Sequence, residues 1–410
     1  MRPTARSTAL VVAVTGVVGF VAVAWWLVPW DPVPGSRPEP VPAESVLTDA
    51  EIARAEHFSQ WARVWGWSGL AISLGFACWL GFTRPGRRLV TRGRGPWPLR
   101  VALVVVLCGV LGRVATLPVA AAGQQLRLDA GLATQSWPAW GVDLVVGDLV
   151  TAVAASLALV AVIGCARRWR RAWPGVAAAV VAVLVMLGSF VYPVLVEPLT
   201  SDFRALPDGD LRTQILAIAD AEGVTVDEVL VSDASRRTTT LNAYVSGFGS
   251  TRRVVLYDTL VDEVDRDEVL VVVAHELAHA RHDDVLVGSV LGALGAAAGV
   301  GLLALLLLRR RGEAADPASP AVVPPVLALV ALAGLLASPV QSTISRLVET
   351  RADVESLAVT GDPGSYVELQ RRLSVSSLAD PTPPAWSQVW FGFHPTLLER
   401  VATARRHGVR

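Results

Sequence analysis

Seven long apolar runs, each about as long as the roughly 20 residues that a membrane-crossing helix needs, alternate along this chain with segments where polar and charged side chains gather. They lie near residues 8–30, 62–83, 99–120, 144–166, 174–197, 285–308 and 320–341. The pattern therefore predicts seven transmembrane helices. Pro118, Pro193, Pro198, Pro324, Pro325 and Pro339 fall inside or near the ends of these runs, where neighbouring helices satisfy the carbonyls a proline frees. Between the fifth and sixth runs the pattern changes. Leu211 to Glu222 has helical spacing, Val229 to Ser232 alternates weakly as a strand, and Thr238 to Val245 and Val254 to Tyr257 read as two more strands. A small antiparallel sheet is expected from these, and a further helix from Ser345 to Val359. The expected fold is mainly α: a multi-pass membrane protein with a five-helix region over residues 1–198, then an α+β domain over 199–410 that is interrupted by the two spans within 285–341.

Composition agrees with a bilayer environment. The 410 residues are 52% hydrophobic and 18% charged, with mean hydropathy +0.48, which excludes an ordinary soluble enzyme. The first run is too long for a signal-peptide core, and Ala24-Trp25-Trp26-Leu27-Val28-Pro29 offers no small-residue cleavage site, so it reads as a retained anchor. Cys78, Cys108 and Cys165 all fall within expected spans and read as small packing residues, not a disulfide framework. Formal net charge is zero and all 36 basic side chains are arginine, so no nucleic-acid partner follows. Their placement does carry information. Arg2 and Arg6, then Arg84, Arg87, Arg88, Arg92 and Arg94, then Arg167, Arg168, Arg170 and Arg171, then Arg309, Arg310 and Arg311 occupy alternate loops, which should be cytoplasmic. The acidic 199–284 segment then faces outward across the cell membrane, and the long loops 31–60 and 121–143 emerge beside it.

Within an apolar helical stretch, Val271-Val-Val-Ala-His275-Glu276-Leu-Ala-His279 places two histidines four residues apart on one face. Two imidazoles so placed can hold one zinc ion, with Glu276 beside them as a base for a metal-bound water, a combination suited to peptide-bond hydrolysis. A buried helix with two hydrogen-bonded histidines is the bland alternative. Against it stand the apolar surroundings, the scarcity of histidine, six in all, and a second acidic helix downstream. There, Arg346-Leu-Val-Glu349-Thr-Arg351-Ala352-Asp353 stacks Glu349 and Asp353 on one face. Glu349 is the expected third zinc ligand, and Asp353 the acceptor for the free ring N–H of a ligating histidine. The alternative for both is a solvated face bridged to Arg346 or Arg351. His282 points off the metal face, His57 and His407 have no partner motif, and Asp283 and Asp284 read as markers of the water interface.

On these motifs the chain resembles the integral-membrane zinc metalloendopeptidases of the CAAX prenyl protease type I family. The resemblance rests also on Leu206-Pro-Asp-Gly-Asp210-Leu-Arg, Asn242-Ala243-Tyr-Val-Ser-Gly247, Phe393-His394-Pro395 with Arg400, and Gly131-Leu-Ala-Thr-Gln135 followed by Trp140 and Asp143. It is strong over about 190–410 and weaker, though order-preserving, before that. It implies a zincin-like catalytic domain in which His275, His279 and Glu349 hold one zinc ion. Glu276 would activate the water and pass its proton to the leaving amine. His394 would stabilise the oxyanion and Arg400 brace the site by an ion pair, while Asn242 and Ala243 lie on an edge strand that pairs with an extended peptide. The expected partners are a peptide or membrane-protein substrate and the lipid bilayer. Two departures matter: the arginine pattern faces the site outward, which argues against a prenylated substrate, and shorter loops imply a smaller or more open chamber. The alternatives are a heat-shock-type membrane quality-control metalloprotease, which has fewer spans ahead of the motif, and a non-catalytic multi-pass protein with a structural zinc site. An intact Glu276 and the lack of a fourth ligand speak against the latter.

Overall fold

Lipid offers backbone groups no hydrogen-bond partner, so a chain this apolar must satisfy them within helices. The computed structural model describes residues 4–199, 201–247, 249–309 and 312–408, so that Arg2, Arg310 and Arg311 of the charge pattern lie outside the described residues. It begins with α1 (Ala5–Leu27), α2 (Asp49–Phe82), the short α3 (Arg84–Val90), α4 (Trp97–Asp129), α5 (Trp137–Arg168) and α6 (Trp173–Val191). A mostly soluble stretch follows: β1 (Phe203–Ala205), α7 (Asp210–Ala221), β2 (Glu228–Ser232), β3 (Ala243–Ser246), β4 (Arg253–Tyr257), α8 (Asp258–Glu263) and α9 (Arg266–Arg281). The chain then runs through α10 (Asp284–Arg309) and α11 (Val323–Thr360) and closes with α12 (Pro363–Ser377), α13 (Ala385–Phe391) and α14 (Leu397–His407). Seven of these, α1, α2, α4, α5, α6, α10 and α11, are long and apolar enough to cross a membrane, and they overlap the seven apolar runs. The protein is a multi-pass membrane protein.

Two groups of helices make the bundle. In the first, α1 and α6 pack on α10. A Cβ at Gly16 would meet the Ala298 backbone nitrogen at 2.6 Å and one at Gly301 would meet that of Ala13 at 2.5 Å, so α1 and α10 touch backbone to backbone. This is the small-residue packing that replaces the hydrophobic effect between helices in lipid. In the second group α2, α4, α5 and α11 pack around Val101, Ile163 and Val323. A cavity of about 1730 Å³ opens between α2, α4 and α5, and its walls reach Thr240 and Asn242 of the soluble layer.

Several helices outrun the hydropathy that announces them. α2 starts at Asp49 because Thr48 and Glu51 close a capping box, Thr48 N–H donating to Glu51 Oε2 at 2.8 Å. The expected span 320–341 and the expected helix Ser345 to Val359 are one helix, α11, of 38 residues. At 1.5 Å per residue it is about 57 Å long, well beyond a bilayer core. No glycine or proline follows Pro339 until the left-handed Gly361, φ +62°, ends it, so α11 carries lipid-facing Leu336 at one end and Glu349 and Asp353 at the other.

The sheet has the order β1-β2-β4-β3. Here the antiparallel expectation needs correction: β1 and β3 run antiparallel to their neighbours, but β2 and β4 are parallel, from Glu228 opposite Arg253 to Ser232 opposite Tyr257. The strand expected from Thr238 is shorter than read, because its first residues pair elsewhere. Thr238 bridges Ala133, and Thr134 N–H donates to the Arg237 carbonyl at 3.2 Å, tying the α4–α5 loop to the soluble layer. β3 is left as an edge strand, and α9 packs against it. Leu256, Leu260, Leu277, Leu357 and Tyr366 fill the core beneath. The loop after α1 also reaches this layer, Arg406 donating to the Gly35 carbonyl at 2.7 Å.

Candidate metal centre

The site is built where α9 crosses α11. His275 and His279, one turn apart on α9, face Glu349 and Asp353, one turn apart on α11. The two imidazoles meet edge to face with their Nε2 atoms 3.2 Å apart. Glu349 Oε2 stands 3.4 Å from His275 Nε2, and Oε1 3.5 Å from His279 Nε2. Donors about 2.0–2.1 Å from a tetrahedral metal are about 3.4 Å from one another, so the three fit one ion. The outer nitrogens support this. His275 Nδ1 lies 3.1 Å from Asp353 Oδ1 and His279 Nδ1 lies 2.9 Å from Asp284 Oδ2. With the protons on these outer nitrogens, both Nε2 lone pairs are free to face the same spot, an arrangement that a cation favours.

Asp284, which the sequence reading assigned to the water interface, is thus part of the site. Asp283 adopts φ +51°, an unusual conformation for a residue with a side chain, and Arg252 pairs with its carboxylate. That turn ends α9 and brings the first residue of α10 back onto His279. Arg351 holds the other oxygen of Asp284. Arg351 therefore braces the site through Asp284, not by bridging to Glu349 or Asp353, and Arg346 binds backbone carbonyls of α13.

The shared partner of Glu349 and Asp353 is Arg400 of α14. It donates to Glu349 Oε2 at 2.9 Å, lies 3.2 Å from Asp353 Oδ1, and reaches Gln370 Oε1 at 3.3 Å. Burial disfavours its charge, but Asp353 and Glu349 outweigh that and hold the guanidinium firmly protonated. Burial likewise disfavours charge on His275. The carboxylates of Asp353 and Glu349 more than offset it and push the imidazole up to about 10.

Glu276 follows His275 on α9 and is partly buried; burial raises its carboxyl above the usual range, partly opposed by His275 and His279. A raised carboxyl suits a group that must take up a proton near neutral pH. His394 sits over the site, Nε2 3.5 Å from Glu349 Oε2, with its side chain 66% exposed. Ala243 is the buried first residue of edge strand β3. Asn242 precedes it, gives its carbonyl to Tyr257 N–H at 3.0 Å, and faces the cavity. The structure thus gathers His275, Glu276, His279, Glu349, Asp353, His394 and Arg400 at one place, with Asn242 and Ala243 on the strand alongside. His282 is turned away and pairs with Glu355 at 2.7 Å.

Comparison with known proteins fits this arrangement. Residues 205–407 match Peptidase family M48. The chain is 28% identical to the uncharacterized metalloprotease YhfN of Bacillus subtilis (strain 168) over 312 residues, 75% of this chain and 73% of that protein. It is 42% identical over 98 residues to a CAAX prenyl protease 1 homolog of Arabidopsis thaliana, 24% of this chain and 23% of the relative. With CAAX prenyl protease 1 of Saccharomyces cerevisiae (strain ATCC 204508 / S288c) it shares 36% identity over 105 residues, 25% and 23% of the two. The alignments to these two prenyl proteases thus span under a quarter of each relative. Among solved structures, that of S. mikatae Ste24p has the same fold, with a TM-score of 0.78 over 97% of this chain and 99% of that one at 19% identity. Residues 205–407 thus resemble the M48 peptidases, and the chain shares the fold of S. mikatae Ste24p.

Proposed function

We propose that this protein is a metalloprotease of the M48 kind, resembling the CAAX prenyl proteases: a zinc-dependent endopeptidase that cleaves extended segments of membrane-associated polypeptides near the bilayer surface. The observation that carries the reading is the convergence of His275 Nε2, His279 Nε2 and the Glu349 carboxylate, one oxygen 3.4 Å from the first nitrogen and the other 3.5 Å from the second, with Glu276 beside them. Two histidines and one glutamate are a catalytic zinc set, three protein ligands with one position left for water. Zinc, when bound there, supplies a Lewis acid and a water that loses its proton near neutral pH.

The chain's own groups do the rest. Glu276 takes the proton of the attacking water and returns it to the leaving amine. Glu276 lies beside the ligands on α9, where a base is needed, and a purely structural metal site has no use for it. The exposed His394 N–H donates to the scissile carbonyl oxygen as charge develops on it. The open side of β3, from Asn242 and Ala243, pairs with the substrate backbone and aligns the bond to be cut. Asp353 and Asp284 fix the ring tautomers, and Arg400 keeps Glu349 and Asp353 ionised and oriented.

On this reading residues 199–410, with α10 and α11 threaded through them, are the metallopeptidase domain, and residues 1–198 are the five-helix membrane region. Arg167, in the α5–α6 turn, donates to the Ala318 carbonyl in the α10–α11 loop at 2.8 Å, which supports reading these two loops as sharing one side. By the distribution of arginines the catalytic side is extracytoplasmic. The test is cleavage of a quenched peptide library by purified protein, wild type beside Glu276→Gln, with zinc measured in both. Zinc in both and chelator-sensitive cleavage in the wild type alone is the expected result; equal cleavage by the two overturns the mechanism.

A further inference from the structure

Pro339 lies inside α11. It has no N–H for the carbonyl four residues earlier, so Leu335 loses its helical partner in an apolar stretch where water does not replace it. The missing donor comes from another element. Trp390 of α13 gives its indole N–H to the Leu335 carbonyl at 3.1 Å.

The reverse contacts are as specific. The Trp390 carbonyl accepts from the hydroxyls of Ser338 and Ser342, the latter at 3.1 Å. One turn further along, Arg346 Nη1 donates to the carbonyls of Gln388 at 2.8 Å and Gly392 at 2.6 Å. Ser338, Ser342 and Arg346 recur every four residues on one face of α11, a ladder of donors for carbonyls at the end of α13, of which that of Gln388 also accepts from Gly392 N–H at 3.1 Å. The same face continues into Glu349 and Asp353. On its other side α13 is pinned by Trp67 of α2, whose ring meets Trp386 edge-on at 4.1 Å and Phe391 at 5.0 Å.

His394 follows directly. Gln388 Nε2 donates to the His394 carbonyl at 2.8 Å. Gly392 makes room for that reach, since a Cβ there would come within 2.2 Å of Gln388 Oε1. His394 is itself exposed, so its place over Glu349 is set by what holds α13. A tryptophan at a membrane interface commonly gives its N–H to whatever acceptor is near. Here the acceptor is the carbonyl that Pro339 orphaned, and three more α11 donors converge on the same turn.

We propose that Trp390 is a positioning residue: by docking α13 on the proline-freed carbonyl of Leu335 it holds His394 over the metal centre. The inference rests on the peptidase reading of that site and deepens it. A displacement of about 1 Å in a catalytic group can cost on the order of 100-fold in rate.

The test uses full-length protein in lipid nanodiscs and compares Trp390→Phe, Pro339→Ala and the double variant. Pro339→Ala restores a backbone N–H that draws the Leu335 carbonyl back into the helix, so it removes the acceptor of Trp390 without touching α13. Each single variant should lower kcat for a peptide cleaved by the wild type by roughly 10- to 100-fold, with KM and zinc content unchanged. Amide exchange of the 385–394 segment should quicken in each. The double variant should fall no further than the worse single one, because both changes break the same bond. Ser342→Ala, a milder change on the same turn, should move exchange and kcat in the same direction. Wild-type kcat and unchanged exchange in Trp390→Phe, or losses that multiply in the double variant, overturn the proposal. Should the wild type cleave nothing, the peptidase reading fails, while the exchange measurement still decides whether Trp390 docks α13.

Discussion

Asp284 Oδ2 lies 2.9 Å from His279 Nδ1, although the helix that carries the histidine ends before the aspartate and a new, membrane-crossing helix begins with it. Asp284 does for His279 what Asp353 does for His275: each holds an outer ring nitrogen so that the inner ones face one point.

Asp284→Asn should therefore weaken zinc binding by about 10- to 100-fold, the usual cost of losing an outer partner of a ligating histidine. Titration against a competing chelator measures it. Affinity equal to that of the wild type would mean that the carboxylate merely neutralises Arg351.

Glu349→Ala should bring zinc occupancy of purified protein well below one per chain, since it leaves two ligands where three are needed. Metal analysis after gel filtration gives the answer, and full occupancy would show that another residue is the third ligand.

Arg400→Ala leaves Glu349 and Asp353 beside one another without their shared cation. Breaking a buried pair in this way typically costs about 3–5 kcal/mol. The loss should be greater in chelator-treated protein than in zinc-loaded protein, where the ion takes over part of the neutralisation of Glu349. Thermal unfolding of both forms checks this, and equal losses would separate Arg400 from the metal site.

Acidity should matter through His275, whose pKa in the folded, metal-free protein is pushed up to about 10, against about 6.5 for an unperturbed imidazole. A raised folded pKa contributes stability that is fully present below about pH 6.5 and is lost as pH rises through about 10. Zinc requires the neutral ring, so metal and proton compete: zinc affinity should climb with pH across that window, and binding near pH 8 should release at least one proton. Calorimetry in buffers of different ionisation enthalpy counts the protons. Affinity that stays level from pH 6.5 to 8.5 contradicts the coupling.

What could be read from the residues is what depends on neighbours along the chain. Seven apolar runs are visible because a span is continuous, and His275, His279, Glu349 and Asp353 are visible because helical spacing puts each pair on a face. Asp284 was hidden because its approach to His279 depends on a left-handed turn at Asp283, which no glycine announces. The parallel pairing of β2 with β4 was hidden as well, for it follows from contacts distant in sequence, among them the bridge from Thr238 to Ala133. α11 read as two pieces since hydropathy stops at the lipid boundary while backbone hydrogen bonding does not. The contact of Trp390 with Leu335 joins residues whose relation exists only once Pro339 has freed a carbonyl and the chain has folded back on it.

The order in which the site's parts occur along the chain bears on biosynthesis. His275 and His279 are made before α10 and α11, and Glu349, Asp353, His394 and Arg400 come at the end of that helical hairpin or after it. Only a chain that has inserted both arms of the hairpin returns Glu349 to the side where the histidines wait. A nascent chain, or one that has mis-inserted this pair, therefore holds the two halves of the candidate metal centre apart, and the site assembles only together with correct topology.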